Sequence, residues 1–306
     1  MRTTRRQWMA ASMLLAAGSR LRAANPSMRF PAAPRERLAI ASYSLRSLLP
    51  SRRRNAPDPT PAKMDIKELP AYIVKRYNLR KLELLGQHLP STEPAYLEEY
   101  RQALTAAGVT IVNIPTNVGA SFYDPDPARR ATAVENSKKW IGAAVALGSP
   151  SVRLHIQGAG GAPQDAGLAA ESLIAVAQYG ESQNVVINLE NDDPTTEDAF
   201  FIVTVIDQVK SPWLRALPDF CNSMLKGDEK VNYDAVTAMF RRAYNISHVK
   251  DAETDHGKVF HVDLARTFAI AKESGYKGYF SIEFEGEGDP VEGVQKLVDA
   301  SIRYLS

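Results

Sequence analysis

The sequence predicts an α/β protein built as a single closed (β/α)8 barrel, in which eight parallel strands alternate with helices. Short apolar runs alternate along the chain with longer segments of helical periodicity, and no repeated motif or low-complexity tract interrupts them. Strict alternation of strands and helices is typical of a parallel sheet. Eight such units in about 270 residues match the usual size of a (β/α)8 barrel. A doubly wound open sheet is the alternative, but the first strand lacks the glycine-rich turn of dinucleotide-binding folds.

The eight predicted strands are short runs with an apolar face. In chain order they read RLAIASYSL, LRKLELLG, VTIVNIP, SVRLHI, NVVINLE, LRALPD, NISHVK and YFSIEFE. The last run shows the alternation most clearly, because Phe280 and Ile282 are apolar whereas Ser281 and Glu283 are polar. Successive side chains of a strand point to opposite faces, so one face of this strand is predicted to pack and the other to carry acids.

Four of the predicted helices have the clearest periodicity. They read EPAYLEEYRQALTAAG from Glu93, ARRATAVENSKKWIGAAVALG from Ala128, AGLAAESLIAVAQYGESQ from Ala166 and HVDLARTFAIAKESG from His261. Their apolar residues recur three and four positions apart, as on one face of an amphipathic helix. Three of the four end at or near a glycine, which is a common signal for the end of a helix.

The first 24 residues are predicted to be an export signal that is not part of the fold. Arg5 and Arg6 precede an apolar run of eleven residues from Trp8 to Gly18, and small residues follow. A membrane span needs about 20 apolar residues, so this run is too short to be one. The arginine pair resembles a twin-arginine signal, which implies a periplasmic or otherwise exported protein with one domain over residues 25–306. A basic tail on a cytoplasmic protein is the alternative.

Removal of that segment changes the charge of the protein. The whole chain has a formal net charge of +2, and residues 1–24 hold five arginines and no acid, so the remaining domain has a net charge of −3. A mildly acidic domain has no general attraction for nucleic acid. Cys221 is the only cysteine, which excludes an internal disulfide. The sequence leaves a homo-oligomer open.

One loop departs from the rest of the chain in composition. Residues 48–65 read LLPSRRRNAPDPTPAKMD and follow the first predicted strand. Loops that follow strands lie on the active face of a barrel, so Arg52, Arg53 and Arg54 could contact an anionic ligand or belong to a lid. A solvated connection is the favoured interpretation, because charge runs are usually solvated.

Four polar residues stand at the ends of four consecutive predicted strands: Glu190, Asp219, His248 and Glu283. They are 29, 29 and 35 residues apart, which is close to one strand-helix unit each. Since apolar neighbours in each run point the other way, these four side chains are predicted to point into the mouth of the barrel. Three carboxylates crowded there would repel one another unless a cation lay among them. Together with an imidazole they suit one divalent ion such as Mn²⁺, Mg²⁺, Co²⁺ or Zn²⁺.

The segments around these residues resemble the xylose isomerase-like TIM barrels of the sugar phosphate isomerase and epimerase family. The segments are NLEN, PDFCN, SHVKDA and SIEFEGEGDPVEGV, and the likeness is strongest over residues 184–294. The resemblance implies that Glu190, Asp219, His248 and Glu283 hold the metal, and that Glu190 and Glu283 also act as the catalytic acid and base. Two positions depart from the family pattern: Asp192 stands where a histidine is frequent, and Cys221 stands where a glycine is frequent.

The activity that the resemblance implies is metal-dependent isomerisation or epimerisation of a sugar or sugar derivative. A metal-bound enediolate forms when one glutamate removes the proton beside a carbonyl, and the other glutamate returns a proton. Predicted export favours an unphosphorylated or oxidised sugar. The alternatives are a lyase or hydratase on keto-sugars or glycosides that uses the same residues, and a sugar-binding barrel without turnover. A nuclease is disfavoured by the negative charge of the domain and by its few, scattered histidines.

Five further residues are predicted to bind the substrate. Lys250 faces the same side of its strand as His248, and Asn222 follows the sixth predicted strand. His155 ends the fourth strand, and Glu83 and His88 lie at the end of the second strand and just after it. Polar groups at these positions suit the hydroxyl groups of a sugar. Glu285, one alternation beyond Glu283, is predicted to lie nearer the rim.

Overall fold

The computed structural model describes residues 25–50, 63–226 and 228–306. Its strands are β1 (Leu38–Ala41), β2 (Lys81–Glu83), β3 (Thr110–Thr116), β4 (Ser151–Leu154), β5 (Val186–Glu190), β6 (Leu214–Leu217), β7 (Ile246–Val249), β8 (Ala252–Asp255), β9 (Lys258–His261) and β10 (Tyr279–Ile282). Its α-helices are α1 (Leu69–Tyr77), α2 (Pro94–Ala107), α3 (Pro127–Leu147), α4 (Ala166–Gln183), α5 (Ala199–Val209), α6 (Glu229–Phe240), α7 (Leu264–Glu273) and α8 (Pro290–Leu305). The predicted signal and Arg52–Arg54 lie outside the described residues.

Eight of the strands form one parallel sheet that closes into a barrel, as predicted. The hydrogen-bonded order is β6, β5, β4, β3, β2, β1, β10 and β7. The two outer strands of this order approach each other through parallel bridges between Ala216 and Ala243 and between Asp219 and His248. The barrel therefore brings the carboxyl ends of all eight strands to one rim, where (β/α)8 barrels carry their sites.

The alternation of side chains decides what each strand contributes. On β5, Ile187 and Leu189 belong to the main apolar core, which lies between the sheet and the helices. Ile282 and Phe284 at the end of β10 belong to the same core. The residues between them face the interior of the barrel, because successive side chains of a strand point to opposite sides. A separate small apolar cluster contains Ala39, Val112, Leu217 and Ile246, which come from strands around the whole barrel.

The helices begin at capping residues close to the same rim as the strand ends. Six of them have an aspartate at the N-cap whose carboxylate accepts a hydrogen bond from a backbone N–H group of the first turn: Asp126, Asp165, Asp198, Asp228, Asp263 and Asp289. Such caps satisfy backbone donors that have no partner within the helix. Asp263 explains why α7 begins at Leu264, three residues after the predicted start at His261.

The segment before β1 covers the amino end of the barrel. Phe30 packs edge-to-face on Tyr244 and on Tyr279, with ring centroids 5.6 Å apart in both pairs. The backbone N–H of Met28 donates to the hydroxyl of Tyr244, which donates to the carbonyl oxygen of Pro26, both at 2.8 Å. These contacts anchor the start of the described chain at the end of the barrel opposite the strand carboxyl ends.

A hairpin between β7 and α7 was not predicted. Strands β8 and β9 pair in antiparallel fashion, and Asp255 lies opposite Lys258. The two residues between them, His256 and Gly257, have φ angles of 47° and 79°. Positive φ at both central positions is typical of the two-residue turn that suits a twisted hairpin. The hairpin follows directly on β7 and therefore stands at the rim where the strands end.

Among the described residues, no helix is both long enough and apolar enough to cross a bilayer.

Candidate functional site

The four residues predicted to hold a metal lie together at the carboxyl ends of β5, β6, β7 and β10. One ligand atom from each of Glu190, Asp219, His248 and Glu283 lies within 4.8 Å of the others. His248 is at the centre: its Nδ1 is 2.8 Å from Glu190 Oε1, 3.1 Å from Glu283 Oε2 and 3.8 Å from Asp219 Oδ2. All four side chains are largely or fully buried. Strand register explains this proximity, since His248 bridges to Asp219 on one side and pairs with Ser281 of β10 on the other.

Asp219 has a buried oxygen atom that a cation would compensate. Its Oδ1 accepts hydrogen bonds from the backbone N–H groups of Cys221 and Asn222, both at 2.7 Å. Its Oδ2 is buried and has no hydrogen-bond partner in the described part of the chain. Burial raises the pKa of Asp219 to about 7; Lys250 opposes this shift, and the carboxylates of Glu190 and Glu283 add to it. A buried carboxylate oxygen without a partner is costly, and a divalent ion would compensate it.

The donor set fits a divalent metal ion. Three carboxylates and one imidazole suit Mg²⁺, Mn²⁺, Co²⁺ or Zn²⁺, because oxygen ligands favour the harder ions and imidazole favours the softer ones. Glu190, Asp219, His248 and Glu283 would hold it. Several strands support these ligands, so their positions depend on the sheet more than on loop conformation.

Opposing electrostatic effects act on the two glutamates of this set. Burial raises the pKa of Glu190, although the charges of Arg153 and His248 act in the other direction. Burial acts on Glu283 too, but the neighbouring His248 and Lys250 outweigh it and hold the pKa of this carboxyl well below its usual value. Burial disfavours the imidazolium of His248, but the carboxylates of Glu190, Glu283 and Glu83 raise the pKa of His248 well above its usual value.

The two nitrogen atoms of His248 face different partners. Nδ1 faces the three carboxylates, whereas Nε2 lies 2.8 Å from Oε2 of Glu83 on β2. Glu83 was predicted to bind substrate, and it does line the cavity at the rim. Its carboxylate is nevertheless 1% exposed, and Oε1 accepts a hydrogen bond of 2.7 Å from Asn113. Both oxygens of Glu83 are therefore already bonded within the protein.

Lys250 is a buried cation on the same rim. Its Nζ donates hydrogen bonds to Asn222 Oδ1 and Glu253 Oε2, both at 2.8 Å, and to Glu285 Oε2 at 2.5 Å. It also lies 3.4 Å from Glu283 Oε2. Burial disfavours its charge, but the surrounding carboxylates raise the pKa of Lys250 well above its usual value. Lys250 and Asn222, both predicted to bind the substrate, line the cavity.

A second charged cluster lies beside Glu190. Arg153 contacts Glu190 Oε2 through Nη2 at 2.8 Å and pairs with Asp192 through the same nitrogen. His155 lines the cavity, and its Nδ1 is 2.8 Å from Glu197 Oε2 and 3.3 Å from Asp192 Oδ2. The predicted substrate contact His155 thus stands at the rim, where it is held by two carboxylates.

His88 occupies a different position from the expected one. It does not line the cavity; instead, its Nδ1 is 3.0 Å from the Oγ atom of Ser42, which does. Burial, with a smaller effect from Arg46, lowers the pKa of His88 to about 4. The imidazole is therefore a neutral group behind the cavity wall, and the short turn after β2 turns it away from the site.

Sequence reasoning missed three residues of this rim. Arg153 stands two positions before His155 on β4, so the alternation used for the other strands could have found it. Glu197 lies in the loop after β5, and Glu253 lies on the unpredicted hairpin. The sequence carries no periodic signal for these two, because their positions depend on how the segments fold back over the rim.

The cavity over the site has a volume of about 400 Å³, which is within the usual range for small-molecule sites. Besides Glu190, His155, His248, Glu283 and Lys250, its lining includes six acidic or basic residues: Glu83, Arg153, Asp192, Asp193, Glu253 and Glu285. Acids outnumber bases in this lining. The arrangement can bind a small polar molecule, polarise it against a cation and exchange protons with it through carboxylates.

Comparisons with known proteins agree with this architecture. A D-allulose 3-epimerase from Methylomonas sp. superposes with a TM-score of 0.67 at 15% sequence identity, over 90% of this chain and 100% of that chain. A 3-keto-D-glucoside 4-epimerase from E. coli gives 0.62 at 14% identity, over 87% and 98% of the two chains. A magnesium complex of a xylose isomerase-like TIM barrel protein from Mycobacterium smegmatis gives 0.63 at 15% identity, over 90% and 98%.

At these identities the likeness establishes the fold. A search of curated protein sequences gives no match. The profile of the xylose isomerase-like TIM barrel family matches residues 72–305, which is most of the chain and includes the four residues that could hold a metal. The chain therefore belongs to the xylose isomerase-like TIM barrel family.

Proposed function

We propose that this protein is a divalent-metal-dependent sugar isomerase or epimerase that moves a proton beside a carbonyl group. One observation carries the proposal: Glu190, Asp219, His248 and Glu283 converge within 4.8 Å at the base of an open cavity, and Asp219 Oδ2 lacks a partner in the described chain. The names of the similar structures support the substrate class, since they include a D-allulose 3-epimerase and a 3-keto-D-glucoside 4-epimerase.

Glu190 and Glu283 are the proposed proton-transfer residues. When bound, a divalent ion supplies Lewis acidity, which makes the C–H group beside a carbonyl easier to deprotonate. One of the two carboxylates takes this proton, and the other returns a proton to the substrate. Return to the opposite face of the same carbon gives epimerisation, and return to the adjacent carbon gives isomerisation. Both glutamates line the cavity, so both can reach a bound sugar.

The positive charge of Lys250 is proposed to stabilise the oxygen on which negative charge develops, with Asn222 orienting the ammonium. The ammonium of Lys250 is 3.4 Å from Glu283 Oε2 and is oriented by Asn222 and by two rim carboxylates. A positive charge fixed in a buried site stabilises developing negative charge without reorganising during the reaction. His155 stands across the rim beside Glu190 and is proposed to contact a sugar hydroxyl.

The proposed substrate is an uncharged sugar. Two cationic side chains with fixed charge line the cavity within the described part of the chain, and both are already neutralised. Arg153 is paired with Glu190 and Asp192, and Lys250 is paired with Glu253 and Glu285. A phosphate or carboxylate group on the substrate would meet this acid-rich rim without a free cation to receive it.

Deuterium exchange tests the reaction. The purified protein, loaded with Mn²⁺, Mg²⁺ or Co²⁺, is incubated in D₂O with unphosphorylated ketoses, aldoses and keto-glycosides, and the products are followed by NMR. Deuterium beside the carbonyl, together with a new sugar, supports the proposal. Loss of water or of an aglycone would instead assign a lyase, and binding without exchange across the panel would assign a sugar-binding protein.

Export of the domain is also proposed, on the basis of Arg5 and Arg6 in the first 24 residues. The full chain and an Arg5→Lys/Arg6→Lys variant are expressed in a bacterium that has a twin-arginine pathway. We expect the full chain in the periplasm and the variant retained in the cytoplasm. Equal fractionation of both chains would contradict a twin-arginine signal.

A further inference from the structure

We infer that Glu83 positions the imidazole of His248 for metal binding, a role that depends on the metal centre of the proposed function. The starting observation is that the two ring nitrogens of His248 face opposite directions. Nδ1 faces the ligand oxygens of Glu190 and Glu283, and Nε2 faces Glu83 Oε2 at 2.8 Å. Both side chains of the Glu83–His248 pair are at most 2% exposed.

This arrangement selects one form of the imidazole. A carboxylate that accepts a hydrogen bond from Nε2–H keeps the proton on that nitrogen and leaves the lone pair of Nδ1 directed at the ion. A ligating histidine generally has such a partner on its other nitrogen, which orients the ring and raises its basicity as a ligand. Here the partner comes from β2, which is 165 residues away in sequence from His248 on β7.

A network of buried hydrogen bonds fixes the carboxylate of Glu83. Its Oε1 accepts a hydrogen bond of 2.7 Å from Asn113 Nδ2 on β3. Asn113 Oδ1 lies 2.6 Å from Ser151 Oγ, and Ser151 Oγ accepts a hydrogen bond of 2.8 Å from Asn245 Nδ2. All of these polar groups are buried inside the barrel. Because both oxygens of Glu83 are bonded, its rotamer is fixed and little bonding capacity remains for a substrate.

The backbone of β2 provides an independent reason for this assignment. The pairing of β2 with β3 shifts between Leu82 and Glu83, so that Leu82 lies opposite Ile111 whereas Glu83 lies opposite Asn113. Irregularities of this kind are frequent beside active sites. In this protein the shift places Glu83 opposite Asn113, whose amide donates to Glu83 Oε1, and the position of Glu83 between the core residues Leu82 and Leu84 turns its carboxylate into the barrel.

The test measures metal affinity, which does not depend on turnover. Calorimetry with Mn²⁺, and titration with Co²⁺ followed by its visible absorption, are carried out on the wild type, Glu83→Gln, Glu83→Leu and Asn113→Ala. We expect Glu83→Leu to weaken metal binding about 10- to 100-fold and to change the Co²⁺ spectrum, because His248 loses its partner. Glu83→Gln keeps an acceptor oxygen and should lose less, and Asn113→Ala should weaken binding in the same direction but less strongly.

The controls separate this role from its alternatives. Glu135→Leu removes an exposed carboxylate on α3 and should bind metal as the wild type does. If Glu83→Leu does not fold, Asn113→Ala decides, and wild-type metal affinity in either folded variant overturns the role. A raised KM for sugar with unchanged metal affinity would make Glu83 a substrate contact. If the wild type binds no divalent ion, the metal centre itself is wrong and this role fails with it.

Discussion

Arg153 and Glu190 form a buried ion pair at the mouth of the barrel, with Arg153 Nη2 2.8 Å from Glu190 Oε2. The two side chains are 3% and 4% exposed, so the charge of each depends on the other for compensation. The same guanidinium also pairs with Asp192. Because Glu190 is both a proposed metal ligand and a proposed acid or base, this pair connects the stability of the barrel to its chemistry.

Replacement of Arg153 by methionine should destabilise the metal-free protein by about 3–5 kcal/mol, because it leaves buried carboxylates without a partner. Arg153→Lys keeps a charge but lacks the planar pair of donors, so it should recover part of that loss. Urea unfolding of both variants without metal measures the two values. A double-mutant cycle with Glu190→Gln should show that much of the cost disappears once Glu190 is neutral. Independent, additive losses would mean that the pair contributes little.

The proposed acid and base lead to a second prediction. Glu190→Gln and Glu283→Gln should each reduce turnover by at least about 10²- to 10⁴-fold, because a positioned proton-transfer group contributes about that much. Both variants should remain folded, since glutamine has nearly the same shape. Rates of deuterium incorporation and product formation measure the effect. Glu292→Gln, on the exposed surface of α8, is the matched control and should keep wild-type rates. Undiminished rates in either site variant would remove that residue from the mechanism.

A substitution of Lys250 distinguishes stabilisation of charge on the substrate from support of the metal ligands. Lys250→Met should lower kcat about 10²- to 10³-fold, as expected for loss of a fixed positive charge beside developing negative charge. Metal affinity should change much less, because Lys250 is not among the four proposed ligands. Kinetics and calorimetry on the same preparation measure both quantities. A variant that loses metal binding and turnover in parallel would show that Lys250 supports the ligands and does not act on the substrate.

Alternation along the strands is enough to predict that Glu190, Asp219, His248 and Glu283 face one site. This works because each residue sits at the end of a strand, where backbone geometry alone decides the direction of a side chain. Arg153 was within reach of the same reasoning, since it lies on β4 two positions before His155. The fold was predictable for a similar reason, as eight apolar runs at regular spacing leave few other arrangements.

The partners of these residues were not predictable in the same way. Glu83 points into the barrel by the alternation between Leu82 and Leu84, but its contact with His248 joins strands 165 residues apart in sequence and depends on which side chains meet across the barrel. Glu253 reaches Lys250 because the chain turns back at His256 and Gly257 into a hairpin. His88 lies behind the wall because a short turn follows β2. The positions of Glu253 and His88 therefore depend on local backbone geometry outside the regular alternation, whereas the contact of Glu83 depends on the packing of distant strands.

His88 leads to a prediction about acid stability. The pKa of His88 is lowered from 6.5 to about 4, mainly by burial and less by the charge of Arg46. Between these pH values the imidazole is therefore neutral in the folded protein and protonated in the unfolded chain. Its contribution to stability is therefore complete above pH 6.5 and is lost as the pH falls towards 4. Over that whole interval the loss would be about 3 kcal/mol, since one pKa unit corresponds to about 1.4 kcal/mol.

His88→Asn removes this titration while keeping a polar side chain beside Ser42. We expect the variant to be less stable than the wild type at pH 7.5, because the packing and the contact with Ser42 Oγ at 3.0 Å are altered. The difference in unfolding free energy between the two proteins should shrink as the pH falls from 6.5 to about 4.5. Only the wild type loses stability there, because His88 is protonated in its unfolded chain but stays neutral in the folded protein. Urea unfolding at several pH values measures this difference, and His256→Asn, which changes a fully exposed histidine, is the matched control. A difference that stays constant across this range would show that His88 does not carry the acid sensitivity.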